Sequence, residues 1–248
     1  MKLVLKQIPN IITSLNLVSG IIALFFAIDG HLTLAGIFIC IAAVLDFLDG
    51  MAARLLNAYS EIGKNLDSLA DLVSFGVAPA SILFTLLEFS LFDKNMPLYE
   101  IAAGWDQWLI LFTACLMPVA GALRLARFNA FQSDEPFFRG LPIPSNGIFW
   151  AAMGMMPAIP RCQDFFNLVY STQNLMILGL FTSGMMIISV PMFSLKFKNL
   201  TLNDNWYRYL FIALTVILLI FLKIYGLPLI ILTYIILNII LYLAGYKY

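Results

Sequence analysis

The sequence predicts an all-α fold, a polytopic membrane helix bundle of about eight transmembrane helices. Three observations carry this reading. Of 248 residues, 62% are hydrophobic and only 11% charged, and the mean hydropathy is +0.93, a composition that belongs to multi-span membrane proteins. Apolar runs of about 20 residues, long enough to cross a bilayer as a helix, recur along the chain. The basic residues divide unequally between the two sets of connections that such helices would have.

The first run, 11–29, follows MKLVLKQIPN. It carries two lysines but no convincing small-residue cleavage site, so it reads as a retained helix and not as a signal peptide. Runs over 32–55 and 64–88 come next and flank an acid-rich stretch. The runs 107–129 and 143–160 follow, the latter shaped at its start by Pro142 and Pro144. After 174–192, the Ile/Leu-rich runs 206–224 and 227–245 are separated by a tight break at Tyr225, Gly226, Leu227 and Pro228. Eight spans put both termini on one side. With that side cytoplasmic, eleven Lys and Arg residues fall inside and three (Lys94, Arg161, Lys223) outside, as the positive-inside bias requires. The longest connections lie near 89–106, 130–142 and 193–205, so residues 1–248 read as one integral membrane domain. The helices after 205 read as scaffold or dimer surface.

Several classes of function find no support. Cys40, Cys115 and Cys162 are scattered without C-x-x-C spacing, which argues against a zinc site or a disulfide framework. The single histidine, His31, excludes a histidine cluster and reads as a turn residue. No nucleic-acid partner is expected.

Chemistry concentrates in DFLDGMAARLLNAYSEIGKNLDSLAD, residues 46–71. Ionisable groups in membrane segments are costly and usually functional. On a helix, Asp46, Asp49, Gly50 and Ala53 fall within one narrow arc, with Arg54 beside it. Asp67 and Asp71 are an i, i+4 pair on one face of the next helix. Two antiparallel helices can therefore turn four carboxylates toward a common gap. Carboxylates of one sign require a cation, and oxygen-only ligands suit Mg²⁺ or Mn²⁺. Two such ions would serve phosphoryl-group chemistry. Gly50 and Ala53 clear room on the acid face, Gly63 opens the second helix where N–H groups favour an anion, and Arg54 is placed to pair with phosphate oxygens. Close helix packing is the competing role for the small residues.

The spacing D-x2-D-G-x2-A-R-x8-G-x3-D-x3-D, complete from Asp46 to Asp71, resembles the signature of the CDP-alcohol phosphotransferase family. The resemblance implies a dimeric integral membrane enzyme. Such an enzyme moves the phosphoryl-containing part of a CDP-linked lipid or alcohol onto an acceptor hydroxyl and releases CMP. Carried onto this chain, it implies that Asp46, Asp49, Asp67 and Asp71 hold two divalent metals. Asp71 would also act as the catalytic base. Gly50, Ala53, Arg54, Gly63 and Asp67 would line the CDP pocket.

Further segments narrow the resemblance. PNIITSLNLVSG (9–20), SLADLVSFGVAPA (68–80), GALRLARFN (121–129), FRGLPIPSNG (138–147), and Ser189 with Lys196 are similar to the phosphatidylserine synthases of this family. The pair Ser145–Asn146 departs from the small residues expected after Pro144. The implied substrates are CDP-diacylglycerol and L-serine, met among membrane lipids on the cytoplasmic side. Serine carries a carboxylate, so its site needs a cation. Arg124, Arg127, Asn129 and Lys196 are the candidates to bind that carboxylate or the lipid phosphate, against plain positive-inside anchoring for each. Asn16 is a candidate for the nucleotide, with interhelical hydrogen bonding as the equal alternative.

Within the family the acceptor could instead be glycerol 3-phosphate, an inositol phosphate or choline. A doubly charged acceptor would ask for a denser basic cluster than this chain has. A divalent-cation channel or carrier is the rival of a different class. Its acids would be expected to continue across the membrane, and these lie at one face. An intramembrane aspartyl protease would need one aspartate pair, not four acids with an arginine.

Overall fold

The computed structural model describes residues 7–130, 137–159, 163–194 and 201–246. Helix α1 (Ile8–Ile28) begins with Pro9 in its first turn, where a fixed φ and a missing N–H do no harm. Its buried face carries Pro9, Thr13, Asn16, Ser19, Gly20, Ala23 and Ala27, a small and polar stripe at helical spacing. That stripe lets α2 (Leu32–Leu55) pack along α1, the close approach that small residues permit between membrane helices. Ser19 Oγ bonds the Phe38 carbonyl of α2 at 2.7 Å.

Helix α3 (Glu61–Leu72) starts at Ser60, whose Oγ accepts the Gly63 N–H at 3.0 Å. This is an N-cap with an acid, Glu61, in the positive first turn. The helix passes into a π-helical segment, Val73–Val77, and then into α4 (Ala78–Phe92), giving one continuous stretch of 32 residues. The π segment lies against α1. A Cβ on Gly20 would stand 2.3 Å from Ser74 Oγ, so only glycine fits there, and that hydroxyl bonds the Asn16 carbonyl at 3.1 Å.

Helix α5 (Trp105–Phe112) and α6 (Leu116–Ala130) are joined by a 3₁₀ turn just before Pro118. Helix α7 (Ile143–Met155) is buried on nearly every side, which marks it as the centre of the bundle. It lies against α2 so closely that a Cβ on Gly36 would meet the Ala151 carbonyl oxygen at 2.6 Å. A short α8 (Gln163–Val169) leads to α9 (Thr172–Ile187). There Thr182 Oγ1 accepts the Trp150 indole N–H of α7 at 3.2 Å. Helices α10 (Leu202–Leu222) and α11 (Gly226–Leu243) form an antiparallel hairpin. Tyr207, near the start of α10, brings its ring centroid to 5.4 Å from that of Tyr246, after the end of α11.

All eight predicted runs are thus helical, and the chain is an all-α membrane bundle. Among the described residues, five stretches are long and apolar enough to cross a membrane, and the last, Asp204–Leu243, takes in most of α10 and all of α11. Two runs are shorter than predicted. Helix α7 has 13 residues and α9 has 16, roughly 20 and 24 Å at the helical rise. A 3₁₀ turn containing Pro157 ends the first. The extended backbone at Ile188, followed by Pro191, ends the second. The chain reverses slightly earlier than the predicted break, at Lys223, which takes a left-handed φ of 53°. One addition to the helices is a small antiparallel ribbon. Strand β1 (Phe137–Arg139) pairs with β2 (Pro191–Phe193), Phe137 opposite Phe193 and Arg139 opposite Pro191.

Candidate active site

Helices α2 and α3 both rest on α1 and make fewer contacts with each other than with it. The acid-bearing faces therefore look across a gap. Ligand oxygens of Asp46, Asp49 and Asp67 come within 4.8 Å of one another. Asp71 lies within hydrogen-bond reach of Asp46, the pairing that antiparallel helices impose. Its Oδ1 is buried with no hydrogen-bond partner. Four carboxylates so close, one with an orphaned buried oxygen, fit a divalent cation held by oxygen ligands. Asp46, Asp49 and Asp67 are the residues placed to share it, with Asp71 adjoining.

Gly50 faces open space, with nothing within 4 Å of where a Cβ would stand. Ala53 is half-buried and Arg54 exposed on the same end of α2. Gly63 is placed differently from a free helix start. Its N–H is taken by Ser60, and a Cβ there would lie 2.8 Å from Asn10 Oδ1 of α1. Its lack of a side chain serves close packing of α3 on α1.

Of the basic candidates, Arg124 stands within Coulombic reach of Asp71 and of Tyr234 on α11, and its Nε is buried with no hydrogen-bond partner. Arg127 is exposed and donates from Nη1 to the Ile187 carbonyl at the end of α9, at 3.0 Å. Asn129 donates to Ser68 Oγ at 2.9 Å, which ties the end of α6 to the helix that carries Asp67 and Asp71. Lys196 lies outside the described residues, as does Ser189's partner role with it. Asn16 is fully buried and neither polar atom of its amide has a partner.

Thr13 has a place in the site that the motif did not indicate. Its Oγ1 stands 2.7 Å from Asp49 Oδ2 and 3.0 Å from the Pro9 carbonyl, two acceptors for its one proton, with the carboxylate the nearer. A signal that could have found it is the series Thr13, Asn16, Ser19, which shares the buried face of α1. His31 sits at the turn before α2, 3.3 Å from Asp29, beside an apolar cavity of about 590 Å³ lined also by Leu86, Phe89 and Tyr170. Asp46 lies fifteen residues further along α2, roughly 22 Å away by the helical rise, so that cavity is separate from the acids.

A sequence model of the CDP-alcohol phosphatidyltransferase family matches residues 6–190. The chain belongs to that family. It is an integral membrane transferase, with the acid cluster in the matched part. It is 38% identical over 144 residues to the CDP-diacylglycerol–serine O-phosphatidyltransferase of Bacillus subtilis, covering 58% of this chain and 73% of the relative. It is 36% identical over 151 residues to the protein of the same name from Mycobacterium tuberculosis, covering 58% of this chain and 47% of the relative. The archaetidylserine synthase of Methanothermobacter thermautotrophicus is 34% identical over 139 residues, 55% of this chain and 53% of the relative. The chain thus spans about three quarters of the Bacillus relative and about half of the other two.

Proposed function

We propose that this transferase moves the phosphatidyl group of CDP-diacylglycerol onto the hydroxyl of L-serine, yielding phosphatidylserine and CMP. The observation that carries the reading is the carboxylate cluster of Asp46, Asp49 and Asp67, with Asp71 and the Arg124 guanidinium adjoining it. Such a cluster suits a substrate with two phosphates and a separate anionic acceptor. All three relatives are named for the making of a serine phospholipid, although the lipid differs between them, and this supports serine as the acceptor here.

Two divalent cations, Mg²⁺ or Mn²⁺, bound by Asp46, Asp49, Asp67 and Asp71, would polarise the phosphate oxygens and stabilise the leaving CMP. Asp71 takes the proton of the serine hydroxyl as that oxygen attacks phosphorus. Its position beside Asp46, with the Arg124 guanidinium within electrostatic range, supports that role. The open face at Gly50 and Ala53 admits the CDP moiety, with Arg54 available to its phosphates. Arg124 and Arg127 hold the serine carboxylate or the lipid phosphate, and Asn129 fixes the α3 face through Ser68. The enzyme works as a homodimer in the bilayer as one domain through residue 248, with termini and site on the cytoplasmic side. The eleven-to-three distribution of basic residues supports that sidedness.

The test is CMP release from CDP-diacylglycerol by purified protein with Mg²⁺ or Mn²⁺, offered L-serine, glycerol 3-phosphate, inositol phosphates or choline in turn. Release stimulated by serine alone is the expected result. Release with a different acceptor would remove the serine assignment. Ion flux in liposomes without CMP release would replace the enzyme by a cation carrier.

A further inference from the structure

The terminal hairpin, α10 and α11, lies beyond the part of the chain that the family model matches, and yet it grips the segment that follows α9. Asn238, fully buried in α11, accepts the Phe193 N–H on Oδ1 at 2.8 Å. One turn earlier, the Tyr234 hydroxyl donates to the Phe193 carbonyl at 2.8 Å. Asn238 is itself oriented by donating from Nδ2 to the Tyr234 carbonyl at 2.7 Å. From α10, Arg208 Nε donates to the next carbonyl, Ser194, at 2.9 Å. Both backbone polar groups of Phe193 are thus held by side chains of one helix, and the following carbonyl by the other. The Phe193 ring is enclosed as well, edge-on to Tyr207, Phe211 and Tyr234 with centroids 5.0, 5.8 and 5.1 Å away.

Two links join this clamp to the acid cluster. Phe193 ends β2, and the segment from Ile187 to Phe193 supplies both the carbonyl that anchors Arg127 and the strand that pairs with β1. Gly140 and Leu141, just before α7, are bonded to the Val190 and Met185 carbonyls at 2.9 and 2.8 Å. Secondly, Arg124 lies on α6 one turn before Arg127, the residue whose guanidinium the Ile187 carbonyl anchors. A polar amide and a phenol inside a membrane hairpin are costly unless fully bonded, and here both bond one residue, Phe193, through the two peptide units that flank it.

We propose that Tyr234 and Asn238 are positioning residues for the acceptor. In this role the terminal hairpin fixes the Ile187–Phe193 segment and so sets Arg124 and Arg127 against Asp71. The hairpin is then a working wall of the acceptor side, where the sequence had suggested scaffold or dimer surface. For its assay this inference rests on the serine-transfer reading.

The experiment compares Tyr234→Phe, which keeps the ring and removes the hydroxyl, with Asn238→Ala, Arg124→Lys and the double variant Arg124→Lys/Tyr234→Phe, all as full-length protein in detergent. The expected result is a serine KM raised about five- to tenfold in Tyr234→Phe and Asn238→Ala, the effect of one lost hydrogen bond. KM for CDP-diacylglycerol and kcat should stay within about twofold. The double variant should fall short of the product of its single effects, because both act on the same acceptor site. A merely structural hairpin would lower the unfolding temperature and depress every kinetic constant together, with no selective change in serine KM. That pattern, or an unchanged serine KM in folded protein, would overturn the inference. Wild-type protein that releases CMP with another acceptor and not with serine would contradict the acceptor assignment alone, and the clamp is then read on the KM of that acceptor.

Discussion

Thr13 Oγ1 and Asp49 Oδ2 are 2.7 Å apart across the α1–α2 interface, both buried. With Asp49 holding a cation as proposed, a hydroxyl donating to it would fix which oxygen faces the metal and keep the side chain from rotating away. Partners of this kind around a metal ligand are typically worth about 10- to 100-fold in metal affinity or activity.

Thr13→Val, nearly the same shape without the hydroxyl, should therefore weaken Mn²⁺ binding by about tenfold or more. Mn²⁺ titration followed by electron paramagnetic resonance reads this without any substrate. Thr13→Ser should retain most of the affinity. Equal Mn²⁺ affinity in Thr13→Val and wild type would show that the hydrogen bond only joins the helices.

Gly50 and Gly36 make a contrasting pair. Gly36 has no room for a Cβ against Ala151, and Gly50 has open space. Gly36→Val should cost about 1–3 kcal/mol through overpacking. Gly50→Ala should leave stability unchanged or raise it by up to about 1 kcal/mol, since alanine favours the helix. If Gly50 admits the CDP moiety, Gly50→Ala should still raise KM for CDP-diacylglycerol. A stable Gly50→Ala variant with wild-type kinetics would remove Gly50 from the pocket.

The Asn129–Ser68 bond of 2.9 Å joins α6 to the helix of Asp67 and Asp71. Asn129→Ala and Ser68→Ala should each cost about 1 kcal/mol, and the double variant little more than either, as expected for two ends of one bond. Denaturant or thermal unfolding in micelles checks this. Full additivity would mean that each side chain is stabilised by something else.

The helices were legible because hydropathy reports a spanning segment directly, and the meeting of Asp46 and Asp49 with Asp67 follows from helical period plus a turn between them. The lengths of α7 and α9 were less so. Hydropathy continues through Pro157 and up to Pro191, although the helical backbone stops before them. Nor did any local pattern announce the π segment after Leu72, which arises where Ser74 meets Gly20 across a helix interface. The contacts of Tyr234, Asn238 and Arg208 with residues 193 and 194 span 14 to 45 positions. An asparagine in an Ile/Leu-rich run signals a buried partner, but the identity of that partner is decided only by the fold. Thr13 lies between these cases, since its place on the polar side of α1 is local but its contact with Asp49 is decided by the packing of α1 on α2.

The central claim is phosphatidyl transfer to serine at the aspartate cluster. Its most direct measurement is the formation of phosphatidylserine from CDP-diacylglycerol and isotopically labelled L-serine, with and without Mn²⁺, by wild-type protein and by Asp71→Asn. The account predicts labelled phosphatidylserine and an equal amount of CMP only with metal, and a loss of at least about 100-fold in Asp71→Asn, within the range for removal of a general base. Labelled product formed without metal, or at an unchanged rate by a folded Asp71→Asn variant, would contradict it.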